Sequence, residues 1–358
     1  MPRVRGLSQR LPAISRLAAG FPVAGVALAV LLGGCAHPFD RRPQAGTPSD
    51  ATLPSDPWSP RALAMFEGRS GRVLSWADLF EGVAWADVVI VGETHDNLRA
   101  HELQRAIVED AATAFPNVAL SLEMLETNEQ PIVDAYLAGE IDQATFEERT
   151  GSRDWGAKDS WKDFYQPAID EVKATGGRVI AANAPREYVR KARAEGYAAL
   201  EALPADERML FAVPRTMTSG RYRERFDEVM SGDPAVVDAL YRSQQTWDAT
   251  MARSIADALD SGSGKVIHLV GSFHSDWDGG LVDQLRRLKP FARVLTVTVV
   301  PEESRVLVER DRDRADAVVY AAKPEAAKER EAEASPSSDA SPEAPAEPGE
   351  PVSPAGPS

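Results

Sequence analysis

The feature that most constrains this chain is a set of continuous apolar, β-branched runs separated by helical stretches. Residues 86–91 (Ala-Asp-Val-Val-Ile-Val) form the clearest example, and residues 118–122, 178–182 and 265–270 repeat it. A strand with one wet face alternates apolar and polar residues. These runs do not, so both of their faces must be covered, as in a parallel sheet flanked by helices. Residues 294–300 and 315–320 complete the strands, and Glu67–Gly71, between short apolar runs, predicts a hairpin turn. A helix is expected from about Asn97 to Ala114, and residues 186–262 read as mostly helical. The expected fold class is therefore α/β, a mostly parallel central sheet covered by helices, with a helical insert.

The two ends of the chain differ from this body. Arg3, Arg5, Arg10 and Arg16 precede an uncharged run from Leu17 to Gly34, the layout of a secretory signal. The run ends Leu32-Gly33-Gly34-Cys35, which resembles a bacterial lipobox. Residues 1–34 are thus expected to be removed and Cys35 to carry lipid, so that membrane attachment rests on buried methylenes. Residues 35–60 then read as the lipidated cysteine and a tether, residues 61–322 as the α/β domain, and residues 323–358 as a disordered acidic tail rich in Pro and Ala. The implied location is the bacterial cell envelope. Ala36, rather than Asp, after the cysteine resembles outer-membrane sorting.

Cys35 is the only cysteine in 358 residues, which excludes a disulfide framework or a thiol nucleophile in the body. The net charge is −15; the signal holds four arginines and no acid, and the tail three basic and eight acidic residues, which leaves −14 for the rest. A body this acidic argues against nucleic acid as a partner, because phosphate binding needs clustered Lys and Arg.

In open α/β sheets, ligands bind beyond the carboxyl ends of the strands. Here four successive runs each release a polar or ionisable residue at that end: Glu93 and His95, then Glu123, then Asn183, then His274. Two imidazoles and two carboxylates allow three kinds of chemistry. They suit a divalent metal held by His95, His274 and Glu123, a general base for water attack on an ester, or a planar cofactor with a histidine as ligand or hydrogen-bond partner.

Gly92-Glu93-Thr94-His95 and Gly271-Ser272-Phe273-His274, each closing a strand, with Glu123 ending another, resemble the Tiki/TraB/erythromycin-esterase/ChaN superfamily. Residues 89–97, Leu122-Glu123-Met124, the stretch from Trp161 through Tyr165-Gln166-Pro167 to Arg186, and residues 247–252 resemble its ChaN branch of haem-binding uptake lipoproteins. That resemblance implies haem taken as a cofacial pair between two subunits of a homodimer, with iron held by a tyrosine and a histidine nearby. Tyr165 is the tyrosine that matches, and a tyrosinate would be a hard anionic donor for ferric iron. His95, His274, Glu93, Glu123 and Asn183 would complete the haem site. One departure is the loop from Gly271 to Leu281, which lacks the proline expected after its glycines.

The leading expectation is accordingly a membrane-anchored haem-binding lipoprotein acting in haem or iron uptake or storage. A hydrolase using His95, Glu93, Glu123 and His274, with or without a divalent metal, is the alternative. A scaffold working through its acidic tail is a third. His268, inside an apolar strand, reads as a core histidine, His101 as part of a solvated helix face, and Asp248 as part of a packing face.

Overall fold

The computed structural model describes Pro38, Phe39 and residues 59–323; the expected signal, Cys35 and the acidic tail from 324 onward lie outside the described residues. Eight strands form one sheet: β1 (Ala64–Glu67), β2 (Val73–Leu74), β3 (Val88–Glu93), β4 (Val118–Glu126), β5 (Arg178–Asn183), β6 (Lys265–Gly271), β7 (Val294–Val300) and β8 (Ala317–Tyr320). Their order is β2-β1-β8-β7-β3-β6-β4-β5. The pairings from β8 to β5 are parallel, and β1 pairs antiparallel with both β2 and β8. The hairpin expected at Glu67–Gly71 joins β1 to β2, with Met65 opposite Leu74.

The absence of alternation in the strands has the expected cause. Successive side chains of a strand point to opposite faces, and here each face meets a helical layer. On one side Val89, Val91, Leu120, Leu122, Ile267 and Leu269 pack with the helices Trp76–Trp85, Leu98–Ala114 and Gln166–Ala174. On the other side Val88, Ile90, Val266 and Val270 pack with Met251, Ile255, Leu281 and Leu285, from the helices Pro234–Asp260 and Gly280–Leu288. Each fully buried Val, Ile or Leu contributes roughly 1.5–3 kcal/mol relative to exposure. The helical stretch expected at 186–262 contains the helices Arg186–Glu195, Tyr197–Glu201, Arg221–Val229 and Pro234–Asp260. Among the described residues, no helix is long and apolar enough to cross a membrane.

Local signals place the elements. Ser75 and Asp78 form a reciprocal capping box that starts the Trp76–Trp85 helix, Ser75 Oγ accepting from the Asp78 amide at 3.1 Å and Asp78 from the Ser75 amide at 2.8 Å. Asn97 starts the Leu98–Ala114 helix by accepting from the Arg99 amide at 3.1 Å, and its amide group donates to the Ala321 carbonyl at 2.8 Å. Because Asn97 is fully buried, these bonds fix the short turn that carries His95.

Candidate functional site

The neighbouring order β3-β6-β4-β5 brings the carboxyl ends of those four strands side by side. Glu93 at the end of β3 and Glu123 within the last part of β4 are both buried. His95 Nδ1 lies 2.8 Å from Glu93 Oε1. Glu123 Oε2 accepts from the Gly271 amide at 2.5 Å, and Glu123 Oε1 lies 3.4 Å from His274 Nε2. His274 Nδ1 in turn lies 2.6 Å from Asp248 Oδ1. The four residues expected to meet therefore do meet, in a chain that runs across the edge of the sheet. Asn183 lines the same pocket, and its side-chain oxygen accepts from the neighbouring Ala184 amide at 2.9 Å.

Both imidazoles are held from behind by a carboxylate that also receives a tyrosine hydroxyl. Tyr165 donates to Glu93 Oε1 at 3.0 Å, and Tyr222 donates to Asp248 Oδ2 at 2.8 Å. Tyr165 belongs to the layer on one face of the sheet, and Asp248 to the long helix on the other. The site thus straddles the sheet. Gln245 also donates to Asp248 Oδ2, at 2.9 Å. Close approach requires glycine at two places. A Cβ on Gly271 would lie 2.9 Å from His95 Nε2, and one on Gly92 would lie 2.7 Å from Ser275 Oγ and 2.9 Å from Ser272 Cα. Gly92 sits inside β3 rather than at a turn, and its missing side chain admits the loop that carries His274.

The electrostatics follow from this arrangement. Burial disfavours the charged form of each group, but the partners outweigh it. His95 is raised to about 9 by the Glu93 hydrogen bond and the charges of Glu123 and Glu93. His274 is raised to about 10 by Glu123 and Asp248. Glu123 is lowered to about 2 by His274, by the charge of His95 and by the Gly271 amide. At neutral pH both imidazoles favour the protonated form and Glu123 favours the carboxylate. A general base works best when its pKa lies near the working pH. Both imidazoles are instead already protonated, and Glu123 is a weak base.

Two further expectations bear on the site. Tyr165, expected to meet iron as a tyrosinate, is fully enclosed behind Glu93, and burial beside Glu93 and Glu123 pushes its ionisation well above the ordinary value. In this placement it positions Glu93 and His95. The other six tyrosines of the sequence are buried or half-buried as well. The divalent-metal alternative on His95, His274 and Glu123 also lacks support: among the described residues, no group of three or more His, Cys, Asp or Glu side chains is placed to hold a metal ion. The Nδ1 atoms and both Glu123 oxygens are already engaged with one another and with Glu93, Asp248 and the Gly271 amide.

His268 is a core histidine as expected, bonded to Ser121 at 2.9 Å and lowered to about 3 by burial. His101 is not on a solvated face. It is buried, stacks on Phe164 with centroids 4.2 Å apart, and places Nε2 3.5 Å from Glu93 Oε2. Tyr222 and the site role of Asp248 escaped the sequence reading. The available signal was an aspartate at the centre of an apolar helix face, which is costly to bury without a partner.

Glu123, His274, Asn183, Trp155, Trp247 and Arg186 are among the residues lining a pocket of about 480 Å3. Trp155 also meets the His95 ring edge-on, with centroids 4.9 Å apart, and the His95 side chain is 35% exposed. His95 is therefore the ionisable group of the centre most open to a ligand.

Comparison with known proteins agrees with this architecture. No curated protein matches the chain. Among solved structures, one describing cofacial heme binding to ChaN of Campylobacter jejuni superposes with a TM-score of 0.55 at 21% identity, covering 72% of this chain and 96% of that one. The type III effector HopBA1 (15% identity, 73% and 97% coverage, TM-score 0.41) and an erythromycin esterase EreC variant in its open conformation (10%, 68% and 79%, TM-score 0.38) are more distant. The first likeness shows a shared fold. The profile of the family described as haem-binding uptake, Tiki superfamily, ChaN matches residues 79–285, more than half of the 358, and the chain belongs to that family.

Proposed function

We propose that this protein binds haem beside the pocket at the carboxyl ends of β3, β6 and β4, with His95 as the iron-facing donor. The observation that carries this reading is the state of His95: partly exposed, edge-on to Trp155, and fixed through Nδ1 by Glu93, which Tyr165 supports from behind. Histidines that ligate metals are commonly oriented in this way, their other ring nitrogen bonded to a carboxylate. A pocket of this size lies within the range that encloses cofactors. Its walls offer Trp155, Trp247 and Met124 to a planar apolar ring, and Arg186 offers a cation to an anionic substituent. Bound haem would supply an iron centre, and the chain's own part is to present a neutral His95 Nε2, which requires the loss of one proton.

The finer parts of the proposal are a lipid anchor on Cys35, a homodimer enclosing a haem pair, and a role in haem or iron uptake or storage at the envelope. They are supported by the lipobox-like sequence and by the family. Hydrolysis is the weaker reading, because the two imidazoles are held above, and Glu123 below, the range in which a general base works best near neutral pH. The test is titration of the chain lacking its signal with hemin, read by absorbance and by sedimentation. A saturable Soret shift accompanied by dimer formation is expected, and a non-saturable spectrum would end the haem reading.

A further inference from the structure

We infer that the pole of the sheet opposite the pocket, where the parallel strands begin, is the face that lies on a lipid bilayer. The first observation is the seat of Phe39. Gly82 lies inside the Trp76–Trp85 helix, where glycine costs roughly 0.5–1 kcal/mol relative to alanine. A Cβ there would lie 2.9 Å from Phe39 Cε1 and 3.4 Å from Leu295 Cδ2, so the glycine makes room for the ring. Phe39 packs against the main core at this point. Leu295 is the second residue of β7, and the helix that contains Gly82 leads into β3, so the seat is at the amino ends of the strands.

The second observation is independent of the first. Trp85, Phe115 and Phe291 each stand three residues ahead of a parallel strand, β3, β4 and β7. Phe291 is 96% exposed, and Leu288 is 47% exposed. Trp85 and Phe115 are half-buried, with cationic groups over their rings: Arg293 at 5.7 Å and Lys265 at 4.7 Å. Trp85 is an amphipathic ring of the kind found at the boundary between headgroups and acyl chains. Phe115 and the exposed Phe291 offer purely apolar rings to the acyl side, while Lys265 is buried and stays with the protein. Lys289 and Arg293 are paired with Asp260 and Asp87, so the attraction of this face is apolar rather than coulombic.

The occupant follows from where the chain arrives. The inference rests on the reading of Cys35 as the attachment point. Cys35 stands four positions ahead of Phe39, and a fully extended chain over four steps spans at most about 14 Å. The six residues of β3 put the pocket about 20 Å away, at the other pole. A lipid on Cys35 would therefore draw the aromatic pole onto the bilayer and leave the pocket facing away from it.

Because Cys35 is the only cysteine, it can be coupled directly to vesicles of phosphatidylethanolamine and phosphatidylglycerol that contain a maleimide lipid. Amide hydrogen exchange of the coupled chain, residues 35–358, is compared with that of the same chain carrying a capped thiol. Slower exchange over 286–293 is expected, with residues 150–160 and 272–279 unchanged. Phe291→Ser should reduce that protection by about tenfold, as expected for loss of a buried aromatic side chain. Protection at the pocket pole instead, or at neither pole, would overturn the inference. The mass of the chain expressed with its signal tests lipidation of Cys35 separately, so failure of either claim can be told from failure of the other.

Discussion

His274 Nε2 lies 3.4 Å from Glu123 Oε1, and less than a tenth of either side chain reaches solvent. The pair is the hinge of the site, since Glu123 also feels His95 while His274 also holds Asp248. Glu123→Gln leaves His274 with one acid partner where it had two. Breaking a buried ion pair by removing one partner costs about 3–5 kcal/mol. Urea unfolding should show a loss of that order, and the His274 ring should titrate below its wild-type value by NMR; an unchanged His274 titration would detach the two residues.

The same shifts dictate a pH profile. The folded-state value for His274, about 10, lies above its ordinary 6.5, so its contribution to stability is complete below 6.5 and is lost as pH rises through 10. For Glu123, lowered from 4.5 to about 2, the contribution is present above 4.5 and is lost as pH falls through 2. His268, lowered to about 3, works against stability on the acid side, because the unfolded chain takes up a proton below 6.5 that the folded chain refuses. Stability should peak near neutrality and fall on both sides. In His274→Gln the alkaline decline should become shallower; an identical alkaline arm in urea titrations would contradict the assignment.

Haem affinity should depend on pH through His95. Iron competes with a proton for Nε2, and the imidazole is held to about 9. Affinity should therefore rise with pH, by about tenfold per unit, until His95 is neutral. Hemin titrations across that range check this, and a flat profile would remove His95 as the donor.

A glycine outside the strand-end motifs is expected to matter as much as the motifs. A Cβ at Gly280 would lie 2.0 Å from Asp248 Oδ2 and 2.7 Å from Gln245 Nε2. Gly280→Ala should push Asp248 off His274, with a loss of roughly 1–3 kcal/mol, as for an overpacked core. Thermal unfolding and the His274 ring resonances would report the displacement; an unperturbed His274 signal would show that the helix moves instead.

The sheet was legible because burial on both faces leaves a direct trace in the sequence: residues 88–91 have no polar side to show, and residues 118–122 carry a single polar side chain, Ser121. The meeting of His95, Glu93, Glu123 and His274 was legible in kind, since each closes or follows a core strand. Strand order then decided that β6 lies between β3 and β4, which periodicity does not carry. The setting of Tyr165 and the burial of His101 were not legible for a related reason. A tyrosine beside aromatic residues, or a histidine on a charged helix, looks the same in sequence whether it faces a ligand or a buried carboxylate. Only Glu93, reaching back between the helices, distinguishes the two cases.

Which side chain faces the ligand is tested most directly by a hemin titration of three proteins: wild type, His95→Ala and Tyr165→Phe. The wild type and Tyr165→Phe should both give a saturable Soret band of imidazole-ligated iron, with Tyr165→Phe weakened only modestly. His95→Ala should lose that band while keeping its fold by circular dichroism. Binding that survives in His95→Ala but disappears in Tyr165→Phe would contradict the account and return the iron to the phenolate.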